Sequence, residues 1–265
     1  MSKISHLYRY PLKSCKGESI QKAEIELYGF KGDRTFALLG KDGHLITSRT
    51  YPKLLLLKAK DLGDYFEVEL LNGKKHQFKL DLKKNTEATH FSATFNVQTV
   101  SFEADSWFSA YLEIPCQLVI NHSEKSRLIK PKYSSDGRSL KMTDASPILL
   151  INQASIDELN SRLDQNIDHR NFRPNIVVNQ EYAYDEHQWN SLQIGNMHFV
   201  KMSDCKRCRL TTVNPDTGDF NSEGEPLKSL SKYRTAEDGM VIFGIYLLPT
   251  SSGIISLDDQ FKVLD

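Results

Sequence analysis

Short runs in which apolar and polar residues alternate make up most of the chain, and clusters of Gly, Pro, Asn and Asp separate them. Alternation places successive side chains on opposite faces of a strand, so these runs read as half-buried β-strands. Ile4, His6, Tyr8 and Tyr10 share one face of a run that stops at Pro11. Residues 19–28, ending at Gly29, and residues 35–39 are the next runs. Asp42-Gly43 and Asn72-Gly73 are hairpin signals, joining 35–39 to 44–47 and 65–71 to 76–82. Buried strands are read at 54–59, 116–120, 148–151, 176–178 and 241–248, with a turn at Gly195-Asn196 inside 189–200 and a last run at 261–264. Helical spacing replaces alternation in few places. Residues 105–113 put Trp107, Phe108, Tyr111 and Leu112 on one face, with Asp105 as the cap. The capping box Ser155–Glu158 opens a second helix, with Ile156, Leu159 and Leu163 on one side. A short helical run follows Glu225-Pro226-Leu227. The pattern predicts a mainly β fold with some helices (α+β), compatible with a closed barrel. A polar, turn-rich stretch at 121–140 divides the chain into 1–120 and 121–265.

Composition then narrows the partners. The 34 Lys and Arg balance the 34 Asp and Glu, so no overall field gathers a nucleic-acid polymer or a membrane surface, and any basic site must be local. No run approaches the ~18 apolar residues of a membrane span. The opening MSKISHLYRYPLKSCKG lacks the apolar core of a signal peptide. Four irregularly spaced cysteines do not form a disulfide framework, which points to a reducing, cytoplasmic setting.

Candidate chemistry concentrates in Ser203–Gly218, SDCKRCRLTTVNPDTG. Cys205 and Cys208 enclose Lys206 and Arg207, and adjacent cations should lower a thiol pKa by favouring the thiolate. Thr211-Thr212-Val213 reads as strand, and Asn214–Gly218 as a turn. Three readings are open: a dithiol redox pair, half of a zinc site, or a single thiolate ligand to a heavier metal. The lack of a following helix speaks against the first, and isolated Cys15 and Cys116 against the second. Cys205 also reads as a small buried apolar residue.

Three further groups suit an anion. The loop Lys13-Ser14-Cys15-Lys16-Gly17 offers two ammonium groups and a hydroxyl, partly offset by Glu18. Arg34 and Arg49 lie near the outer ends of two paired strands, which can bring two guanidinium groups together. Arg173 and Asn175 flank Pro174, which favours extended backbone, so the two side chains should share one face and fit a phosphate or a heterocycle edge. Each group also reads as a solvated loop or a surface ion pair.

In chain order, YPLKSCKG, GDRTFALL, ITSRTYPKL, TDASPILLIN, NFRPNIVV, CKRCRLTTVNPDTG and a closing FG-Y run resemble MOSC-domain proteins, in particular the group of the mitochondrial amidoxime reducing component and its bacterial relatives. The resemblance spans about residues 3–263. It implies a MOSC-type β-barrel with an N-terminal β-rich MOSC-associated domain. It also implies molybdenum cofactor, a pyranopterin dithiolene ending in a phosphate. Cys208 is then the metal ligand and catalytic centre, and Lys13, Ser14, Arg34, Ser146, Arg173 and Asn175 anchor the cofactor, with Arg49 as an addition. The implied activity is reduction of N-hydroxylated compounds such as amidoximes, hydroxylamines and N-hydroxylated bases. The chain ends at Asp265 without a further cysteine cluster, so electrons are expected from a separate donor protein, a flavin, haem or iron–sulfur reductase. A sulfur (persulfide) transferase using Cys208, or a non-catalytic carrier of the cofactor, are the alternatives.

Overall fold

The computed structural model describes residues 3–82, 84–121, 127–131, 133–134 and 136–264. Eight strands form the larger sheet, in the order Glu18–Ser19, Lys3–Arg9, Ile176–Asn179, Ile148–Asn152, Ile242–Pro249, Met197–Lys206, Ser191–Ile194, Phe261–Val263. Neighbours are antiparallel except Ile148–Asn152 and Ile176–Asn179, which run parallel on either side of the helix Gln153–Asn160. The sheet curls until Lys3 bridges to Gln260. Its apolar face encloses Leu7, Leu150, Ile176, Phe199, Ile245 and Leu247. Gly244, at φ 70°, lets the Ile242–Pro249 strand press on its neighbour, since a Cβ there would lie 2.7 Å from the Leu150 carbonyl oxygen.

The smaller sheet orders Asn85–His90, Ala93–Thr99, Cys116–Ile120, Phe36–Gly40 and Leu45–Ile46, and a bridge from His44 to Thr89 ties its edges together. The helix Phe102–Leu112 and the three strands Lys58–Asp61, Tyr65–Glu69 and Lys75–Lys79 pack around Phe36, Phe66 and Phe108. The fold is thus mainly β with three α-helices among the described residues. Among those residues no helix is long and apolar enough to cross a membrane.

Both hairpin signals form hairpins: Leu38 pairs with Ile46 across Asp42-Gly43, and Tyr65–Glu69 with Lys75–Lys79 across Asn72-Gly73. Four local expectations change. Residues 54–59 do not form one strand; Pro52 starts a 3₁₀ turn, Pro52–Leu56, before the strand Lys58–Asp61. The first helix begins earlier, with the Ser101 hydroxyl accepting from the Ala104 amide, while Asp105 accepts from the Leu118 amide at 2.7 Å. Asn152, not Ser155, caps the second helix. The Thr-Thr-Val run is not strand. Arg209–Thr212 is a 3₁₀ turn in which the Thr211 and Thr212 hydroxyls donate to the carbonyls of Cys208 and Arg209. Residues 122–126, 132 and 135 of the polar stretch taken as a boundary lie outside the described residues.

Candidate functional site

Segments associated with both sheets converge on a cavity of about 720 Å³, within the range of small-molecule sites. Lys13, Ser14, Arg34 and Arg49 line it from the first half of the chain. Ser146, Arg173, Asn175 and Cys208 line it from the second. All eight residues singled out in the sequence therefore meet at one place.

Asp144 organises the cations. Its Oδ1 accepts from Lys13 Nζ at 2.5 Å and lies 3.1 Å from His90 Nε2, and its Oδ2 accepts from Arg49 Nη2 at 2.6 Å. Burial alone would raise its pKa, but Lys13, the His90 hydrogen bond and Arg49 together hold the carboxyl well below its usual range. Lys13 is buried and also donates to the Met142 carbonyl; burial brings its pKa down to about 8 against the pull of Asp144. Arg34 pairs with Asp33 at 2.5 Å, and both Arg34 and Arg173 lie over the Tyr10 ring, at 4.0 and 4.5 Å.

The backbone here is unusual. Of the seven non-glycine residues with positive φ among the described residues, four line the cavity: Ser14, Arg34, Phe91 and Arg173. Left-handed backbone at such residues persists where the surroundings over-determine it, which occurs at ligand sites. Arg173 at φ 57° closes the 3₁₀ turn His169–Phe172. The expected extended dipeptide with two side chains on one face is therefore not formed. The Arg173 guanidinium donates to the Cys15 carbonyl, whereas the Asn175 side chain accepts from the Leu149 amide and donates to the Tyr8 carbonyl, joining three strands. Ser146 likewise spends its hydroxyl on the Ile148 and Leu247 carbonyls.

The two cysteines part company at the end of the Met197–Lys206 strand. Cys205 is buried, and burial raises its pKa in spite of Arg207, opposite to what the flanking cations suggested. Lys206, half exposed at the cavity, pairs with Asp238, and Arg207 turns inward to donate to the Phe243 and Phe172 carbonyls. Cys208 is half-buried at the cavity wall, which Arg49 also lines. Burial opposes charge on Arg49, but Asp144 and then Cys208 raise its pKa.

The model of the MOSC N-terminal beta barrel domain matches residues 1–115, and that of the MOSC domain matches residues 137–262. The chain is 32% identical over 286 residues to mitochondrial amidoxime-reducing component 1 of Mus musculus, covering 98% of this chain and 82% of that protein. It belongs to the MOSC family. Other MOSC relatives are mitochondrial amidoxime reducing component 2 of Bos taurus, 30% identical with 97% and 81% of the two chains covered, and molybdenum cofactor sulfurase of Solanum lycopersicum, 30% identical over 90% of this chain and 32% of that protein.

The donor set of this MOSC chain fits an anionic ligand that carries a soft metal. It presents one accessible thiol, several guanidinium groups, and a buried Arg207 whose Nη2 has no hydrogen-bond partner among the described residues. Sequence reasoning missed Asp144 and Tyr10, on which four of the cations converge. Asp144 stands in the quoted TDASP motif, but nothing local marks it as the partner of Lys13, 131 positions away.

Proposed function

We propose that this MOSC protein holds molybdenum cofactor in the cavity and reduces N-hydroxylated compounds with electrons from a separate donor protein. The convergence of Cys208 with Lys13, Arg34, Arg49 and Arg173 on one cavity carries this reading. Cys208 is the soft thiolate ligand, and the four cations hold the anionic end, with Ser14, Ser146 and Asn175 shaping the wall. The cofactor, when bound, supplies two-electron redox chemistry at its metal. The balance is R–NH–OH + 2 e⁻ + 2 H⁺ → R–NH₂ + H₂O: the N–O bond breaks, the donor's electrons reduce the nitrogen, and the oxygen leaves as water. The contribution of the chain is orientation and charge: Asp144 fixes Lys13 and Arg49 in advance, and Arg34 and Arg173 are set on Tyr10 before any ligand arrives. The names of the amidoxime-reducing relatives support the reaction class.

The test is metal and pterin analysis of protein from a host that makes the cofactor and from one that cannot. Near-stoichiometric molybdenum with pterin, lost in Cys208→Ala and Arg173→Ala, is expected. Absence of both from folded protein overturns the proposal. The sulfurase relative favours a second reading, a persulfide carrier, for which cyanide-labile sulfur on Cys208 is the signature.

A further inference from the structure

The hairpin joining Asn85–His90 to Ala93–Thr99 turns through two residues, Phe91 and Ser92, since His90 pairs with Ala93. Phe91 takes the first loop position at φ 54°, where such turns favour Gly and a bulky side chain is strained. It is also 58% exposed and lines the cavity, so it stands where the cavity opens to solvent. Neither burial nor turn chemistry accounts for an aromatic ring at this position.

Two neighbours hold the ring. The His90 and Phe91 ring centroids are 4.2 Å apart, and the Arg49 guanidinium lies 5.4 Å from the Phe91 centroid. Both neighbours are bonded to Asp144, so the carboxylate that orders the cations also orders the support of Phe91. The cofactor set proposed above does not use the ring. Its members Lys13, Ser14, Ser146 and Asn175 are buried, which puts the anion-binding part of the cavity away from the opening. Met240, 42% exposed, and the half-buried Met202 and Ile242 add apolar lining to that of Phe91. Methionine adapts to varied apolar shapes, whereas an aromatic face favours another ring.

We propose that Phe91 is the stacking platform for a flat apolar group of the substrate, an aryl or heteroaryl ring carried on the N-hydroxylated nitrogen's side chain. The inference rests on the N-hydroxy reductase reading and deepens it by naming the residue that selects among such compounds. A ring already fixed by its neighbours loses little freedom when another stacks on it. A substrate with only a methyl group in that place forgoes both the stacking and the apolar burial.

The test compares N-benzylhydroxylamine with N-methylhydroxylamine, which share the reacting group and differ by the ring. Protein comes from a cofactor-making host, reduced methyl viologen supplies electrons, and molybdenum is measured on each preparation. Wild type should show kcat/KM for the benzyl compound at least about tenfold above that for the methyl compound, carried mainly by KM. Phe91→Gly, the residue the turn favours, should cut that ratio about tenfold, and Phe91→Tyr should keep it. A wild-type ratio below about threefold, or one that survives in Phe91→Gly, overturns the proposal. Should the glycine variant fail to fold, Phe91→Leu, which keeps an apolar side chain without the ring, carries the same comparison. Binding of 4-fluorobenzyl alcohol, followed by fluorine NMR on the same preparations, reads the platform without turnover and should weaken about fivefold in Phe91→Gly. Turnover with a ratio and a probe affinity indifferent to Phe91 defeats the platform alone. Probe binding that depends on Phe91, without turnover of either hydroxylamine, defeats the reductase reading and keeps the platform.

Discussion

At Arg173 a long cationic side chain sits on backbone that glycine adopts most easily, φ 57°. The guanidinium is what the proposed cofactor site would use, while the backbone is a local cost, and the two separate by substitution. Arg173→Gly and Arg173→Ala both lose the bond to the Cys15 carbonyl and the stack on Tyr10. Only alanine keeps the left-handed penalty, so the glycine variant should be more stable by ~1 kcal/mol in urea unfolding. Both should lose bound molybdenum. Cys208 gives the opposite contrast. It is half-buried and sits at the cavity wall, so Cys208→Ser should change stability by less than ~0.5 kcal/mol while abolishing N-hydroxy reduction; full activity in that variant would remove it from the site. The residue types were legible because thiol, ammonium and guanidinium groups recur in recognisable motifs. The backbone of Arg173 was not, because the proline rule describes a preference that the preceding 3₁₀ turn overrides.

Elements were legible where the signal is local and lost where a distant partner decides. Asn72-Gly73 makes its hairpin because the turn type needs those residues. Ser155 resembles a cap by spacing, yet its hydroxyl donates to both oxygens of Glu186, at 3.0 and 2.9 Å, joining the helix to the 3₁₀ turn Asp185–Gln188. Glu186 is fully buried, and burial pushes its pKa up from 4.5 to about 7. Between those values the folded state holds a proton that the unfolded state has released. Its contribution to stability therefore falls as pH rises from about 4.5 to about 7 and is level above that. Glu186→Gln cannot ionise, so its stability relative to wild type should improve from pH 5 to pH 8, by an amount of order 1–3 kcal/mol. Denaturant melts of both proteins at the two pH values check this, and a pH-independent difference would show that Glu186 does not titrate in this window.

At the scale of the whole molecule, a chain of zero net charge gathers a cluster of cations at one cavity by drawing them from distant segments and pairing them with Asp33 and Asp144. Composition could only say that a basic site must be local. The strand pairing that assembles it was not readable, since periodicity gives the faces of strands and not their neighbours. The opening strand Lys3–Arg9 pairs with Ile176–Asn179, and Lys22–Glu26 pairs with Gly253–Ser256. Ile4, Leu7, Ala23, Ile25 and Phe30 from the first thirty residues are part of the core of the larger sheet. Residues 121–265 expressed alone would leave Ile176–Asn179 as an unpaired edge beside an uncovered apolar face, a state prone to aggregate. They would also lack Lys13, Ser14, Arg34 and Arg49 at the cavity. That fragment should be insoluble or melt without cooperativity, and co-expression with residues 1–120 should restore a cooperative transition followed by circular dichroism. A soluble, cooperatively melting fragment would mean that the larger sheet is stable without its first strands, and that residues 1–120 serve the cavity alone.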